Sequence, residues 1–479
     1  MRVTVLGLGY VGLVTSACLA ELDHDVIGVE TNESKLRSLS DGTVPFHEPG
    51  LADMVAANVQ AGRLRFSGDP AASAASAQIV IVAVGTHDGN GGWQTKTIND
   101  CLVSVVPHLR RDAVLVIRST LPPEFLPQLA AIVGRIRDEG GQQHIPVLVN
   151  PEFTREGQAI MDFMKPDRVV IGVADDPTGR GVKLVRRLYQ QTPGPILAMN
   201  GLDAVLAKLG SNLFLATRIS FANELAGLCD LYGADVEQVV TAMAYDQRIG
   251  GSFFRAGIGF GGSCLPHQVT MTVRGAAAAG RPTPLLAAVD EINHGQRVRF
   301  VERIETLLGG SLKDARIALL GVTFKPDTDD LRDAPSLEIA ARLLERGASV
   351  VAYDPMSGAL ARASQLVPGL TTASSALEAL DGADAAGLVT EWSEFLTMDW
   401  AAAGRRMRRP ILVDGRNALP PRAMLEAGLA YSSFGRGTLV PDEVDARSTP
   451  AERIARRSLG LFEQPVASPG FAHAQALPD

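Results

Sequence analysis

The chemistry most legible in this chain is that of one thiol. Cys264 stands at the edge of Phe260-Gly261-Gly262-Ser263-Cys264-Leu265-Pro266, where glycines let backbone approach a ligand closely. A thiolate so placed, beside a cofactor that removes hydride, can trap an aldehyde as a thiohemiacetal, whose second oxidation gives a thioester for water to hydrolyse. An alcohol then becomes an acid without release of the aldehyde. Cys18 and Cys229 fall in helix-like apolar runs and read as small hydrophobes. With Cys101 they show no pairing or metal-ligand spacing, so neither a disulfide framework nor a zinc site is expected.

The hydride acceptor has its own signal. Gly7-x-Gly9-x-x-Gly12, with Tyr10 and Val11 between the last two glycines, follows an apolar run and opens a helix-like one. That spacing turns the chain tightly, admits a pyrophosphate against bare backbone and sets a helix N-terminus beneath its charge. Glu30 closes the second apolar run, where a carboxylate accepts the adenosine ribose hydroxyls and repels a 2'-phosphate; NAD is therefore expected rather than NADP. Lys35, one turn into the next helix, either reaches the adenosine side or is a solvated surface lysine.

An oxidation through a thioester also needs a donor for the oxyanion and a base for water. Lys208 and Asn212 are four residues apart in a helical pattern and so share a face, where an ammonium and an amide can meet one oxygen; the plainer reading is a surface lysine and a capping asparagine. The carboxylates of Asn150-Pro151-Glu152-Phe153-Thr154-Arg155-Glu156-Gly157 follow a strand-like run, as do the hydroxyls of Ser119-Thr120, which places both segments at the ligand-binding edge of a sheet.

The elements that must position these residues read as α/β. Val3–Leu6, Val26–Val29, Ile79–Val84, Val114–Ile117 and Pro146–Val149 are strand-like, and Leu13–Leu22 is helix-like. From about residue 201 to 305 helical periodicity takes over, with Leu206, Leu209, Leu213 and Phe214 spaced for one buried face. The strand pattern returns at Ile317–Gly321, Val350–Asp354, Gly387–Val389 and Ile411–Val413, with a helix near Ser336–Glu345. The expected architecture is two Rossmann-like domains with parallel sheets, 1–200 and 312–441, joined by a central helical region, 201–305. The Pro-, Ala- and Ser-rich segment 442–479 is expected to be a mobile tail.

Composition agrees with an enzyme of this build: 479 residues exceed the reach of one core, and 46% hydrophobic with 20% charged residues is a globular balance. A formal net charge of -8 disfavours nucleic acid or an anionic membrane as partner. No signal peptide or spanning segment stands out, so a cytoplasmic location is expected.

Taken together, the motifs resemble the UDP-glucose/GDP-mannose dehydrogenase family over nearly the whole chain to about residue 440. The resemblance is carried by Pro45-Phe46-His47-Glu48-Pro49-Gly50-Leu51, Ala83-Val84-Gly85-Thr86, Ser119-Thr120, the Asn150–Gly157 loop, Pro166-Asp167-Arg168, Lys208 with Asn212, the cysteine loop, and Phe324-Lys325-Pro326-Asp327-Thr328-Asp329-Asp330-Leu331-Arg332. It implies Cys264 as nucleophile, Glu152 as base for thioester hydrolysis, Lys208 and Asn212 as oxyanion partners and Thr120 as a water-positioning hydroxyl. It further implies Thr86, Ser119, Thr120, Glu156, His267 and Arg332 around the cofactor. Glu152, Phe153, Thr154, Arg155, Glu156, Lys208, Asn212, Phe254, Gly259, Phe260, Gly261, Phe324, Lys325 and Arg416 would line the nucleotide-sugar site. Arg248 would reach the substrate of a neighbouring subunit in a homodimer or larger assembly.

Within the family, Asp246-Gln247-Arg248-Ile249-Gly250, Lys325-Pro326 and Asp414-Gly415-Arg416-Asn417 resemble the UDP-glucose branch, implying UDP-glucuronate as product, a precursor for surface polysaccharide. The chain departs from the family where lysine and aspartate should follow Pro266: it has His267 and Gln268. His87 replaces a usual proline, and Glu30 a commoner aspartate. Glutamine forms hydrogen bonds but takes no proton, whereas histidine suits proton transfer or simply fills the lysine's place. Competing readings are an impaired paralogue that binds both ligands, a dehydrogenase for another sugar such as GDP-mannose, and a single oxidation in which Cys264 is incidental.

Overall fold

The computed structural model describes residues 1–87 and 92–441; the expectation made for 442–479 concerns residues outside that range. Short apolar runs become buried strands: β1 (Arg2–Leu6), β2 (Asp25–Val29), β3 (Leu64–Ser67), β4 (Ile79–Val82), β5 (Val114–Ile117), β6 (Val147–Val149), β7 (Val169–Asp175) and β8 (Ile196–Asn200). They form one sheet in the order β3-β2-β1-β4-β5-β6-β7-β8. A second sheet is built from β9 (Arg316–Leu320), β10 (Ser349–Tyr353), β11 (Thr371–Thr372), β12 (Ala385–Leu388), β13 (Ile411–Asp414), β14 (Ala430–Ser433) and β15 (Thr438–Leu439), in the order β11-β10-β9-β12-β13-β14-β15. Pairing is parallel except between β6 and β7 and between β14 and β15.

In both sheets the strand order reverses beside the first strand, between β1 and β4 and between β9 and β12. Such reversals open a crevice at the carboxyl ends of the strands, and ligands collect there. The second sheet closes its own crevice differently. At the end of β10, the Asp354 carboxylate accepts the amides of Val322 at 2.7 Å and Thr323 at 3.1 Å, so the acid holds the chain's own turn after β9. In the first domain the corresponding carboxylate, Glu30 after β2, bonds Asn32 and Lys35 rather than the glycine turn after β1.

Between the sheets runs a helix of 32 residues, Gly201–Tyr232, capped by the Asn200 side chain and ended by Gly233 at φ +70°. Its buried side carries Ala204, Val205, Lys208, Leu209, Asn212 and Ala216. The periodicity of Leu206, Leu209, Leu213 and Phe214 is misleading here: Leu209 is buried, whereas Leu206 and Phe214 are 49% and 61% exposed. The helix is apolar on more than one face, so spacing alone does not say which face meets this chain's core. Helices Leu265–Ala278 and Pro284–Leu307 pack against it and hold the cysteine loop from behind.

Candidate active site

The turn after β1 is shaped for an anionic dinucleotide. Gly7 lies at φ +88°, and a Cβ on Gly12 would stand 1.8 Å from the Gly7 carbonyl oxygen, so both must be glycine for the turn to close on its helix. At Gly9, by contrast, nothing lies within 4 Å of a Cβ position. Gly9 caps helix Tyr10–Glu21 without a side-chain bond, and no acidic residue occupies the first turn, which leaves the helix amides to an outside acceptor. Glu30 accepts the Asn32 amide with one oxygen and pairs with Lys35 at 3.5 Å through the other. Ser119, half-buried at the end of β5, donates to the Val84 carbonyl at 2.6 Å and so ties the ends of β4 and β5 together; Thr86 is buried just beyond.

Cys264 caps helix Leu265–Ala278. The protein's own packing requires the glycines before it. A Cβ on Gly259 would meet Asn293 Oδ1 at 2.3 Å, one on Gly261 the Asp333 carbonyl at 2.4 Å, and one on Gly262 the Phe324 ring at 2.8 Å. Asn293 grips Phe260 from both sides, accepting its N–H at 2.7 Å and donating to its carbonyl at 3.1 Å. Gln296 donates to the Gly257 carbonyl at 2.8 Å. Arg416 spans the domains, donating to the carbonyls of Val389 at 2.6 Å, Phe324 at 2.8 Å and Gly259 at 3.3 Å. The Cys264 residue is open to solvent on one side, yet the protein packed around its sulfur pushes the thiol up; Glu152 and Glu156 add to this and Lys208 opposes it.

Facing this loop is a buried ion pair. Lys208 Nζ donates to Glu152 Oε1 at 2.8 Å, and Glu152 Oε2 accepts the Thr154 amide and hydroxyl, each at 2.7 Å. Burial pushes this carboxyl up, but Lys208 and Thr154 outweigh it and hold Glu152 at about 2. Asn212, one turn from Lys208, donates to Gln268 Oε1 at 3.0 Å. Both Lys208 and Asn212 are thus buried, against their reading as a surface lysine and a cap. Thr120 and Lys208 line one small cavity with Ser119 and Pro151.

Glu156 occupies the seam with the second domain. Its Oε1 takes contacts from Ser263 Oγ at 3.5 Å and Arg332 Nη2 at 3.3 Å, and Lys325 Nζ donates to its backbone carbonyl. Burial and the nearby Asp330 push its carboxyl up to about 7, with Arg332 and Lys325 opposing. Burial likewise lowers Lys325.

Several expected residues have partners within this chain. Arg155 pairs with Asp162 at 2.6 Å, and Arg248, exposed, pairs with Asp246 at 2.6 Å. The Phe254 and Phe260 side chains are buried, Phe254 beneath the Arg218 guanidinium at 4.3 Å, which leaves only backbone to a ligand there. Phe153 is sandwiched between Arg168 at 3.8 Å and Lys208 at 5.5 Å from its centroid. Two of the chain's departures touch: the rings of His87 and His267 stack with centroids 5.2 Å apart, and His267 reaches Asp333 at 3.3 Å.

Other positioning residues escaped the sequence reading. Glu48 bonds the Tyr10 hydroxyl and accepts the amides of Gly157 at 2.6 Å and Ala159 at 2.8 Å, locking the 150s loop to the glycine turn. Arg118, buried beside Ser119, donates to Thr15 Oγ1 at 3.1 Å and Asn150 Oδ1 at 2.7 Å. A polar residue at helical spacing among apolar ones, as with Asn293, Gln296 and Arg297 before Phe300, was the available signal.

The chain matches the UDP-glucose/GDP-mannose dehydrogenase family in three consecutive parts: the NAD binding domain over residues 1–193, the central domain over 203–295 and the UDP binding domain over 318–421. The chain belongs to this family. It is similar to the UDP-glucose 6-dehydrogenase of Pseudomonas aeruginosa, 39% identical over 443 residues, covering 91% of this chain and 98% of that protein. To the UDP-glucose 6-dehydrogenase of Rhizobium meliloti it is 36% identical over 91% of this chain and all of that protein. A solved UDP-glucose dehydrogenase from Pyrobaculum islandicum superposes with a TM-score of 0.80 at 34% identity, over 87% of this chain and 94% of that one. The chain is thus an NAD-dependent dehydrogenase of the family, and the uncapped glycine turn with Glu30 fits that cofactor.

Proposed function

We propose that the protein oxidises UDP-glucose at C6 to UDP-glucuronate in two successive oxidations, the aldehyde between them being held on Cys264. The observation that carries this reading is the thiol at the start of helix Leu265–Ala278, in a site where the buried Lys208–Glu152 pair and the Asn212 amide come together between two sheet edges. The glycine turn and Glu30 would hold NAD, which would supply a hydride acceptor, one NAD for each oxidation, the hydroxyl proton of the alcohol leaving to water. Lys208 and Asn212 meet the oxygen as its charge develops, and Cys264 Sγ adds to the aldehyde carbon to give the thiohemiacetal. After the second oxidation a water attacks the thioester, Cys264 leaves as thiolate and the acid is released.

By proton affinity the base for that water falls to Glu156 rather than to Glu152. A carboxyl at about 2, locked to Lys208, is a poor proton acceptor, whereas one near 7, close to Ser263, is matched to the task. Glu152 then serves to hold Lys208. The carboxylate form of Glu156 prevails only above about 7, so hydrolysis-limited turnover climbs through that pH. Glu156→Gln should flatten this limb and cut kcat by about 10²–10⁴. A variant that kept the same pH profile would return the base to another group.

UDP-glucose is favoured over other sugars by the names of the relatives and by Lys325-Pro326 and Asp414-Gly415-Arg416-Asn417. Comparison of kcat/KM for UDP-glucose, GDP-mannose and UDP-N-acetylmannosamine tests this, and a preference for either of the latter two would overturn it. Phe214, Phe221 and Leu228, spaced by seven on the long helix and 61%, 46% and 49% exposed, support pairing of two copies along that face. Sedimentation should show a dimer for the protein and a monomer for Phe221→Glu; equal masses would place any subunit contact elsewhere.

A further inference from the structure

Gln268, where the family pattern has an acid, is not an idle replacement. It lies one turn after Cys264 on the same helix, its backbone amide donating to the Cys264 carbonyl at 3.1 Å, and it is only 1% exposed. Its Oε1 accepts from Asn212 Nδ2 at 3.0 Å, linking the helix that carries the thiol to the helix that carries Lys208. An amide nitrogen has two hydrogens. With one directed to Gln268, the other is fixed in direction and remains for the substrate oxygen.

Charge gives a second reason. Around Cys264, Glu152 is paired with Lys208, and Glu156 lies beside Arg332 and Lys325, so the carboxylates already present are matched by cations. A carboxylate at position 268, one turn from the thiol, would add a negative charge where both the thiolate and the oxyanion must form. Glutamine supplies the same acceptor to Asn212 without that charge.

We propose that Gln268 is a positioning residue of the thiol centre, aligning the Asn212 amide and keeping the surroundings of Cys264 free of a further carboxylate. It takes no proton and acts through Asn212 and Cys264. The proposal rests on Cys264 being the nucleophile of the reaction above.

Alkylation of Cys264 by iodoacetamide, followed by peptide mass across pH, reads the charge role without any substrate. Gln268→Asp should move the alkylation midpoint to higher pH, slowing the reaction near neutrality by about tenfold for every pH unit that the midpoint rises. Gln268→Glu, which keeps the chain length and adds the charge, repeats the test should the shorter acid disturb packing. Gln268→Leu removes the acceptor without adding charge: alkylation should stay close to that of the unaltered protein, while kcat falls at least about tenfold with KM little changed. NAD binding by each variant checks its fold. An unmoved alkylation midpoint in both acidic variants, or unchanged kcat in Gln268→Leu, would overturn the proposal. If the unaltered protein leaves UDP-glucose untouched, the substrate reading fails, while the alkylation comparison still decides the role of Gln268.

Discussion

Cys264→Ser should form no UDP-glucuronate above about one part in a thousand of the unaltered rate, while still binding NAD. A serine hydroxyl is far less acidic than a thiol and is a poor nucleophile unless a base is hydrogen-bonded to it, and the neighbour of the sulfur at 3.7 Å is the Ser263 hydroxyl. Sulfur also leaves a thioester far more readily than oxygen leaves an ester, so the second half of the reaction suffers along with the first. Any NADH that persists should therefore come with an aldehyde rather than an acid. Product analysis by chromatography checks this, and acid formed at the original rate would remove Cys264 from the mechanism.

Lys208→Met should cost both activity and stability. The variant leaves the Glu152 carboxylate 6% exposed and without its cation, and breaking a buried pair from one side costs about 3–5 kcal/mol. Loss of one oxyanion donor lowers kcat by a further factor of about 10²–10³. The two effects can be separated. In the double variant Lys208→Met with Glu152→Gln the stranded charge is gone, so denaturant unfolding should recover much of the stability while kcat stays low. A pH signature follows from the same pair. In the unaltered protein the depressed Glu152 carboxyl contributes stability in full above its ordinary value of 4.5, and this contribution is lost as pH falls from there toward about 2. Lys208→Met lacks that contribution, so the stability gap between the two proteins should narrow across this window. A gap independent of pH would mean that the pair does not stabilise the fold.

What could be read in the residues beforehand was whatever depends on short spacing. The Lys208–Asn212 interval places both on one helix face, and the glycine turn followed by Glu30 needs only one strand-helix-strand unit. The contact of Asn212 with Gln268 joins residues 56 apart, and no local pattern encodes it. The raised carboxyl of Glu156 depends on burial at the seam and on Asp330 arriving from the second domain, which outweigh the opposing Arg332 and Lys325, so its difference from Glu152 was invisible in their shared loop. The cysteine-loop glycines were read as room for a ligand; that the protein's own Asn293, Asp333 and Phe324 require them was not legible, because a glycine does not say what fills its missing Cβ. Strands β3, β7, β8, β11, β14 and β15 were missed as well. β8 is an edge strand with Leu197 43% exposed, so it lacks the buried apolar run that marked the strands legible in the sequence.

The central claim is that one sugar passes through two oxidations without release of the aldehyde between them, which Cys264 holds as the thiohemiacetal. Its most direct test counts NADH formed per UDP-glucose consumed, with a hydrazine present to capture free aldehyde. The account predicts two NADH for each sugar, UDP-glucuronate as product and no hydrazone. One NADH for each sugar, with the hydrazone accumulating, would contradict it and leave Cys264 a bystander.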